Sequence, residues 1–225
     1  MKEHNKVALF DFCETLVNFQ TADAFVEYVR ANCKDNKHMH KWNNIRLFLI
    51  KTRIIPILSR LFPKISIHKR IVLYQLKGKT KIELYEYAQC FYKNMILPNL
   101  IHEVIDELKK LQLQHYKIVL VSGGYDIYIN LFAKDFGIDN ENIITTRIKY
   151  KNGICMGIID GLDCLFDNKI KLISEKFEKD EIYSISYSDS KTDLPLLNWA
   201  DKGIVVRCKN RNKWNLKFDE ILWEK

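Results

Sequence analysis

Three short polar clusters carry the residue types that could do chemistry in this chain: Asp11-Phe12-Cys13-Glu14-Thr15, Ser122-Gly123-Gly124, and Ser188-Asp189-Ser190 with Asp193 following. Two carboxylates brought side by side make a hard, oxygen-rich site suited to Mg²⁺, a cation that keeps several of its waters. A hydroxyl and a pair of glycine amides can neutralise the oxygens of a phosphate. Any one cluster alone is weak, because a Gly pair after a strand is usually a turn and acidic residues there are usually solvated. All three in order, with a basic residue between the last two, point to a single crevice.

The elements that must position them are legible as short apolar runs. "KVALFDF" at 6–12, "KIVLVSG" at 117–123, "IYSISYSD" at 182–189 and "GIVVR" at 203–207 read as strands separated by helical patterns. That alternation predicts an α/β fold built on a Rossmann-like, doubly wound parallel sheet, in which ligands bind outside the carboxyl ends of the strands. Each polar cluster falls at such an end. Between the first and second strands lie about 90 residues, too many for a simple crossover. Helical spacing at 21–34, 41–62, 66–77 and 80–95 predicts an inserted helical cap, with Pro56 and Pro63 as breakers and Thr80 as an N-cap. The expected division is 1–16 and 98–225 as the α/β core and 17–97 as the cap. Elsewhere, Leu100, Val104, Leu108 and Leu111 share one helix face, Gly137 is placed to end a helix, and "KNG" between two β-rich runs at 142–159 signals a hairpin.

Composition narrows the class. The chain has 225 residues, enough to bury a sizeable core, and no stretch of the roughly 18 apolar residues that a membrane span requires. Its polar start runs directly into a strand, which reads as no signal peptide and predicts a cytoplasmic location. Cys13, Cys33, Cys90, Cys155, Cys164 and Cys208 are dispersed without a C-x-x-C pair, so a disulfide framework or structural zinc is not expected. His38 and His40 lie in a polar stretch and read as solvated. The net charge of +8 is uneven: residues 36–82 hold twelve Lys and Arg and no Asp or Glu. A solvated face, an anionic substrate, an anionic membrane and nucleic acid all fit such an asymmetry. No recognisable nucleic-acid-binding module accompanies it, so nucleic acid is not the expected partner. "WNNIRLFLIKTRIIPILSRLF" is amphipathic enough to lie on a membrane, although the preferred reading buries its apolar residues in the cap.

The clusters together resemble the haloacid dehalogenase superfamily of hydrolases, in the branch (subfamily IB) that contains the phosphoserine phosphatases. That family's first motif is Asp-x-Asp-x-Thr, matched by "DFCETLV" except at Cys13; its second, a Ser or Thr after a strand, is matched by "VSGGYDI". "DNKIKLISEKF" offers Lys169 or Lys171 for the third, and "SDSKTDLPLL" supplies Asp189 and Asp193 for the fourth. The resemblance implies an α/β core with a C1-type cap and an Mg²⁺-dependent phosphatase. In it Asp11 attacks phosphorus to form an aspartyl-phosphate, and Asp11, Asp189 and the backbone carbonyl of Cys13 hold the metal. Ser122, Gly123, Gly124 and a lysine cradle the phosphate, while Asp193 and Ser190 support the site from behind. Lys169 is favoured because Ile170, Ile173 and Phe177 then suit a buried helix face; Lys171 remains the alternative.

Cys13 is the departure that matters most. The family's second Asp protonates the leaving oxygen and then deprotonates the attacking water, whereas a thiol, with a reference pKa of about 8.5 raised further by acidic neighbours, makes a poor base at neutral pH. The accounts left open are a leaving group that needs little protonation, an acceptor other than water (phosphotransferase), replacement of the base by Glu14 or a cap residue, and a phosphate-ligand-binding protein with impaired turnover. The plain packing role of a small buried thiol also stands. A second departure is Gln20, at the place where phosphoserine phosphatases carry a Glu that holds the substrate ammonium. A neutral amide disfavours phosphoserine. The expected partner is a small anionic phosphomonoester, linked to a sugar, amino alcohol or nucleotide-sugar of the kind used in surface polysaccharides.

Overall fold

The computed structural model describes residues 5–62, 65–214 and 217–224. Its sheet has seven strands among the described residues: β1 (Asn5–Phe10), β2 (Lys117–Tyr125), β3 (Ile143–Lys151), β4 (Ile154–Asp160), β5 (Ile182–Ser188), β6 (Lys202–Cys208) and β7 (Asp219–Trp223), in the spatial order β4-β3-β2-β1-β5-β6-β7. All neighbours are parallel except the β3–β4 hairpin. β1 is central, and both its faces are covered: Val7 and Leu9 join one core cluster, Ala8 and Phe10 the other. This two-sided burial explains why the strand reads as an uninterrupted apolar run. The fold class is therefore the expected doubly wound α/β sheet; β7, whose sequence carries little strand signal, is an addition to it.

The hairpin forms at its expected turn. Asn152 (φ 49°) and Gly153 (φ 77°) are both left-handed between the paired Lys151 and Ile154, the backbone of a tight two-residue turn. The exposed edge of β4 does not stay open. Gly78 donates to Cys155 O (2.9 Å), Cys155 to Lys79 O (2.8 Å) and Lys81 to Gly153 O (2.7 Å), so the inserted chain covers that edge.

Between β1 and the helix that precedes β2 the insertion forms five α-helices: α1 (Thr21–Asn32), α2 (Lys37–Lys51), α3 (Ile54–Leu61), α4 (Ile67–Tyr74) and α5 (Lys81–Phe91), the last continuing as a π turn over Tyr92–Ile96. Thr80 caps α5 as its sequence implies, accepting from Glu83 N at 3.1 Å. The chain leaves and returns side by side, with Asn18 N bonded to Asn99 O and Ile101 N to Leu16 O. Helices α6 (His102–Leu113), α7 (Asp126–Asp135), α8 (Asp167–Ser174) and α9 (Leu194–Trp199) complete the layers. The buried Val104, Leu108 and Leu111 form the inner face of α6, and Gly137 (φ 64°) turns the chain after α7.

Two expectations for the insertion need correction. The segment 41–62 is broken at Arg53, which takes φ 61°, and Pro56 lies in the first turn of α3, where its missing N–H costs nothing. Pro63 falls outside the described residues. The apolar residues of α2 and α3 do not form a cap core either. Only Met39 and Asn43 of α2 and Ile55 of α3 are buried, while Leu47, Phe48, Ile50, Ile54, Ile57 and Leu61 are exposed, because no described element packs over them. The buried residues of α1, α4 and α5 join the same hydrophobic cluster as β1, α6 and α7.

Candidate active site

The carboxyl ends of β1, β2 and β5 bring the three polar clusters to one cavity of about 280 Å³. Asp11, Cys13, Gln20, Ser122, Gly123, Lys169, Asp189, Ser190 and Asp193 all line it. After Asp11, whose N–H bonds to Tyr187 O at 3.0 Å, the chain makes a tight turn in which Leu16 N and Val17 N both reach Phe12 O, and Glu14 adopts φ 56°. Thr15 ties this turn to β5: its hydroxyl lies 3.5 Å from Asp11 Oδ2 and accepts from Asp189 N at 3.1 Å.

Lys169 closes the floor. Only 2% exposed, it donates to Asp11 Oδ1 at 3.0 Å and to Asp193 Oδ2 at 2.6 Å. Burial alone would lower its pKa, but the two carboxylates outweigh that and raise it. Lys171, two residues along α8, is exposed. Asp193 is fixed a second time by Ser188 Oγ at 2.7 Å, and Ser190 holds the loop by accepting from Thr192 N. One lysine thus faces three carboxylates. Burial first, then Asp11, Glu14 and Asp193, push Asp189 up to about 8. Burial also raises Asp11 against the pull of Lys169.

That surplus negative charge is the local test for a cation. Among the described residues no three His, Cys, Asp or Glu side chains gather as a closed metal cage. Two carboxylates with an uncompensated charge at strand ends fit a divalent ion that keeps most of its own waters, and do not fit a structural metal.

On the opposite wall, Ser122 is fully buried and its hydroxyl accepts from Gly124 N at 3.1 Å. A side chain on Gly123 would collide with Leu165, and one on Gly124 would come within 2.8 Å of Ile129 Cδ1 and 3.0 Å of Tyr128 Oη. Gly123 reaches the cavity; Gly124 does not, its N–H being taken by Ser122. Gln20 turns aside to Glu14 (2.5 Å), which also pairs with Arg211.

Cys13 stands in a relay of its own: its thiol lies 2.9 Å from Thr21 Oγ1, which lies 2.8 Å from Tyr128 Oη, which in turn accepts from Tyr125 N. Burial, then Asp11, pushes the thiol up to about 11. It is a protonated group at neutral pH.

Sequence motifs did not mark the helical wall of the cavity, formed by Ala22, Asp23, Ser66, His68 and Lys69. Lys69 of α4 is buried, paired with Asp163 and bonded to Thr146 Oγ1 at 2.9 Å. His68 Nδ1 sits 3.4 Å from Asp23, with Arg46 at 3.1 Å from its other nitrogen. The one available signal was the acid-free basic tract, which gave no position.

Comparison with known proteins follows the same lines. The chain is 27% identical to the phosphoserine phosphatase of Methanocaldococcus jannaschii over 93% of its length and 89% of that protein's. It is 26% identical to Protein CicA of Caulobacter vibrioides over 56% of its own length, spanning little more than half, 57%, of that relative. Among solved structures, a Bordetella pertussis protein of unknown function superposes with a TM-score of 0.74 at 19% identity, over 90% of both chains. A phosphoserine phosphatase solved as a phospho-aspartyl intermediate analogue superposes with a TM-score of 0.55 at 20% identity, over 91% of this chain and 87% of that one. The family model for haloacid dehalogenase-like hydrolases matches residues 8–198, from β1 through α9 and so across every cluster just described. With its motifs assembled at the strand ends of one doubly wound sheet, this chain belongs to the haloacid dehalogenase-like hydrolase family.

Proposed function

We propose that this protein is a phosphatase acting on a small anionic phosphomonoester through an aspartyl-phosphate on Asp11. The observation that carries this reading is Lys169 bridging Asp11 and Asp193 on the floor of a cavity whose wall is Ser122 and Gly123. An Asp11 oxygen attacks phosphorus in line, the bond to the leaving oxygen breaks, and water then cleaves the acyl phosphate to return Asp11 and release phosphate. Ser122, the Gly123 amide and Lys169 stabilise the phosphoryl oxygens, where most of the stabilisation in phosphoryl transfer resides. Asp11, Asp189 and the carbonyl of Cys13 would hold Mg²⁺, which would relieve the repulsion between carboxylate and phosphate. The helices α1–α5 act as a cap that selects the leaving part, and the free, dispersed cysteines support a cytoplasmic setting. The aspartyl-phosphate analogue and the phosphoserine phosphatase likeness belong to those proteins and support the reaction type here, not the substrate.

A second reading, transfer to an acceptor other than water or binding with impaired turnover, is favoured by one feature. The thiol of Cys13 is held protonated by burial and Asp11, and Glu14, the nearest alternative base in sequence, is engaged by Gln20 and Arg211. The test is phosphate release from a panel of phosphomonoesters with Mg²⁺, comparing wild type, Cys13→Asp and Asp11→Asn. Turnover by wild type that is lost in Asp11→Asn establishes a phosphatase. An inert wild type that gains activity as Cys13→Asp supports transfer or binding, and release of leaving group in excess of phosphate when alcohols are added selects transfer.

A further inference from the structure

Helices α2 and α3 carry an uncovered apolar face. Leu47, Phe48 and Ile50 at the end of α2, Ile54, Ile57 and Leu61 along α3, and Phe62 and Ile65 beyond it are all exposed, Phe48 by 62% and Leu61 by 65%. Ile54, Ile57 and Leu61 are three and four residues apart and so share one stripe of α3, while Ile55 on the other side is buried. Scattered apolar residues on a surface are ordinary, but a concentration of this size at the end of one helix pair marks a contact surface.

The polar residues woven through that face are basic. Lys51, Arg53 and Arg60, interleaved along the chain with those apolar residues, are exposed, as are Lys41 and Arg70 on either side in sequence, and the sequence from Asn36 to Ile82 contains no Asp or Glu. We propose that the α2–α3 face docks this protein onto an anionic lipid bilayer. Leucine, isoleucine and phenylalanine side chains enter the boundary between headgroups and acyl chains, and lysine and arginine stems reach back to the lipid phosphates. Each basic residue near such a surface adds to the attraction, and the absence of acids removes the repulsion that would oppose it. A second copy of this chain on the same face would set these cations against one another, so charge complementarity favours the bilayer. No helix among the described residues is long and apolar enough to cross a membrane, and contact of this kind needs none.

The test is co-sedimentation of the full chain with phosphatidylcholine vesicles, with and without phosphatidylglycerol. The expected result is binding that requires phosphatidylglycerol and weakens as sodium chloride is added. Removing charge as Lys51→Gln with Arg53→Gln weakens it about 5-fold per residue. Phe48→Glu with Leu61→Glu abolishes it, while thermal melting and hydrolysis of p-nitrophenyl phosphate stay at wild-type values, since neither residue lines the cavity. Because binding is read without catalysis, a protein inert on every phosphomonoester leaves this test intact. Failure to bind anionic vesicles, equal binding to neutral ones, or binding unchanged in the glutamate variant overturns the proposal. A self-association that the glutamate variant disrupts, without vesicle binding, assigns the face to a second copy instead.

Discussion

At the scale of single residues, the site is an imbalance of charge managed by one cation. Lys169 lies between Asp11 and Asp193 with both partners nearly inaccessible to water. Replacing it by Met leaves two buried carboxylates without their cation, and the cost of stranding buried charge is about 3 kcal/mol or more. Lys169→Met is therefore expected to lower the free energy of urea unfolding by about that amount, with an unchanged m-value, besides abolishing turnover. Lys171→Met, on the exposed side of α8, is expected to leave both unchanged. Cys13 supplies a second prediction. A thiol pushed up to about 11 is almost wholly protonated at pH 7, and the thiolate is the form that alkylates. With iodoacetamide near neutral pH, the exposed Cys90 is expected to react first and Cys13 to stay unmodified, read by peptide mass spectrometry. Rapid alkylation of Cys13 at pH 7 would contradict the protonated state on which the transfer reading depends. The polar residues on the sheet side of the cavity were legible because each stands in a fixed place relative to a strand end. Gly124 shows the limit: its sequence position matched a phosphate cradle, but its amide is spent on Ser122, a contact that depends on the local turn and not on the residue order.

At the scale of elements, the sheet and the hairpin were readable and the insertion was only half so. β1 and β2 are buried on both faces and announce themselves as apolar runs, and the Asn152-Gly153 turn is dictated by its two left-handed residues. The break at Arg53 was not readable, because an arginine with positive φ has no sequence signature, and β7 was missed because its apolar run is only three residues long and follows two acids, Asp219 and Glu220. Lys69 was equally silent. It joins α4 to Thr146 of β3 and to Asp163 in the segment after β4, with both charges nearly buried. Lys69→Met is expected to destabilise by about 3 kcal/mol because Asp163 is then stranded, whereas Lys69→Met combined with Asp163→Asn recovers much of the loss. Unfolding measurements on the two single variants and the double variant close that cycle. Additive losses would show that the pair is not coupled as its geometry requires.

At the scale of the whole molecule, the question is whether the inserted helices fold as a unit apart from the sheet. Sequence spacing separated 17–97 from the rest because the strands on either side are distinct, but spacing says nothing about which core a helix joins. The packing gives a different emphasis. Phe25 of α1 meets Phe91 of α5 at 5.4 Å between ring centroids and Tyr128 of α7 at 5.3 Å, and Phe132 of α7 meets Phe12 at 5.1 Å. This array continues without a polar break from the inserted helices to the turn that carries Asp11. Tyr128 is also the residue that completes the relay to Cys13, so the aromatic core and the site share a member. A continuous core makes unfolding cooperative, because opening either part exposes apolar surface of the other. A variant retaining Trp42 of α2 as its sole tryptophan should therefore lose fluorescence and far-ultraviolet circular dichroism in coincident urea transitions. An earlier fluorescence transition would mean that α2 and α3, which contribute little to that core, detach before the rest. In that case the uncovered face at their tip would belong to a hinged element.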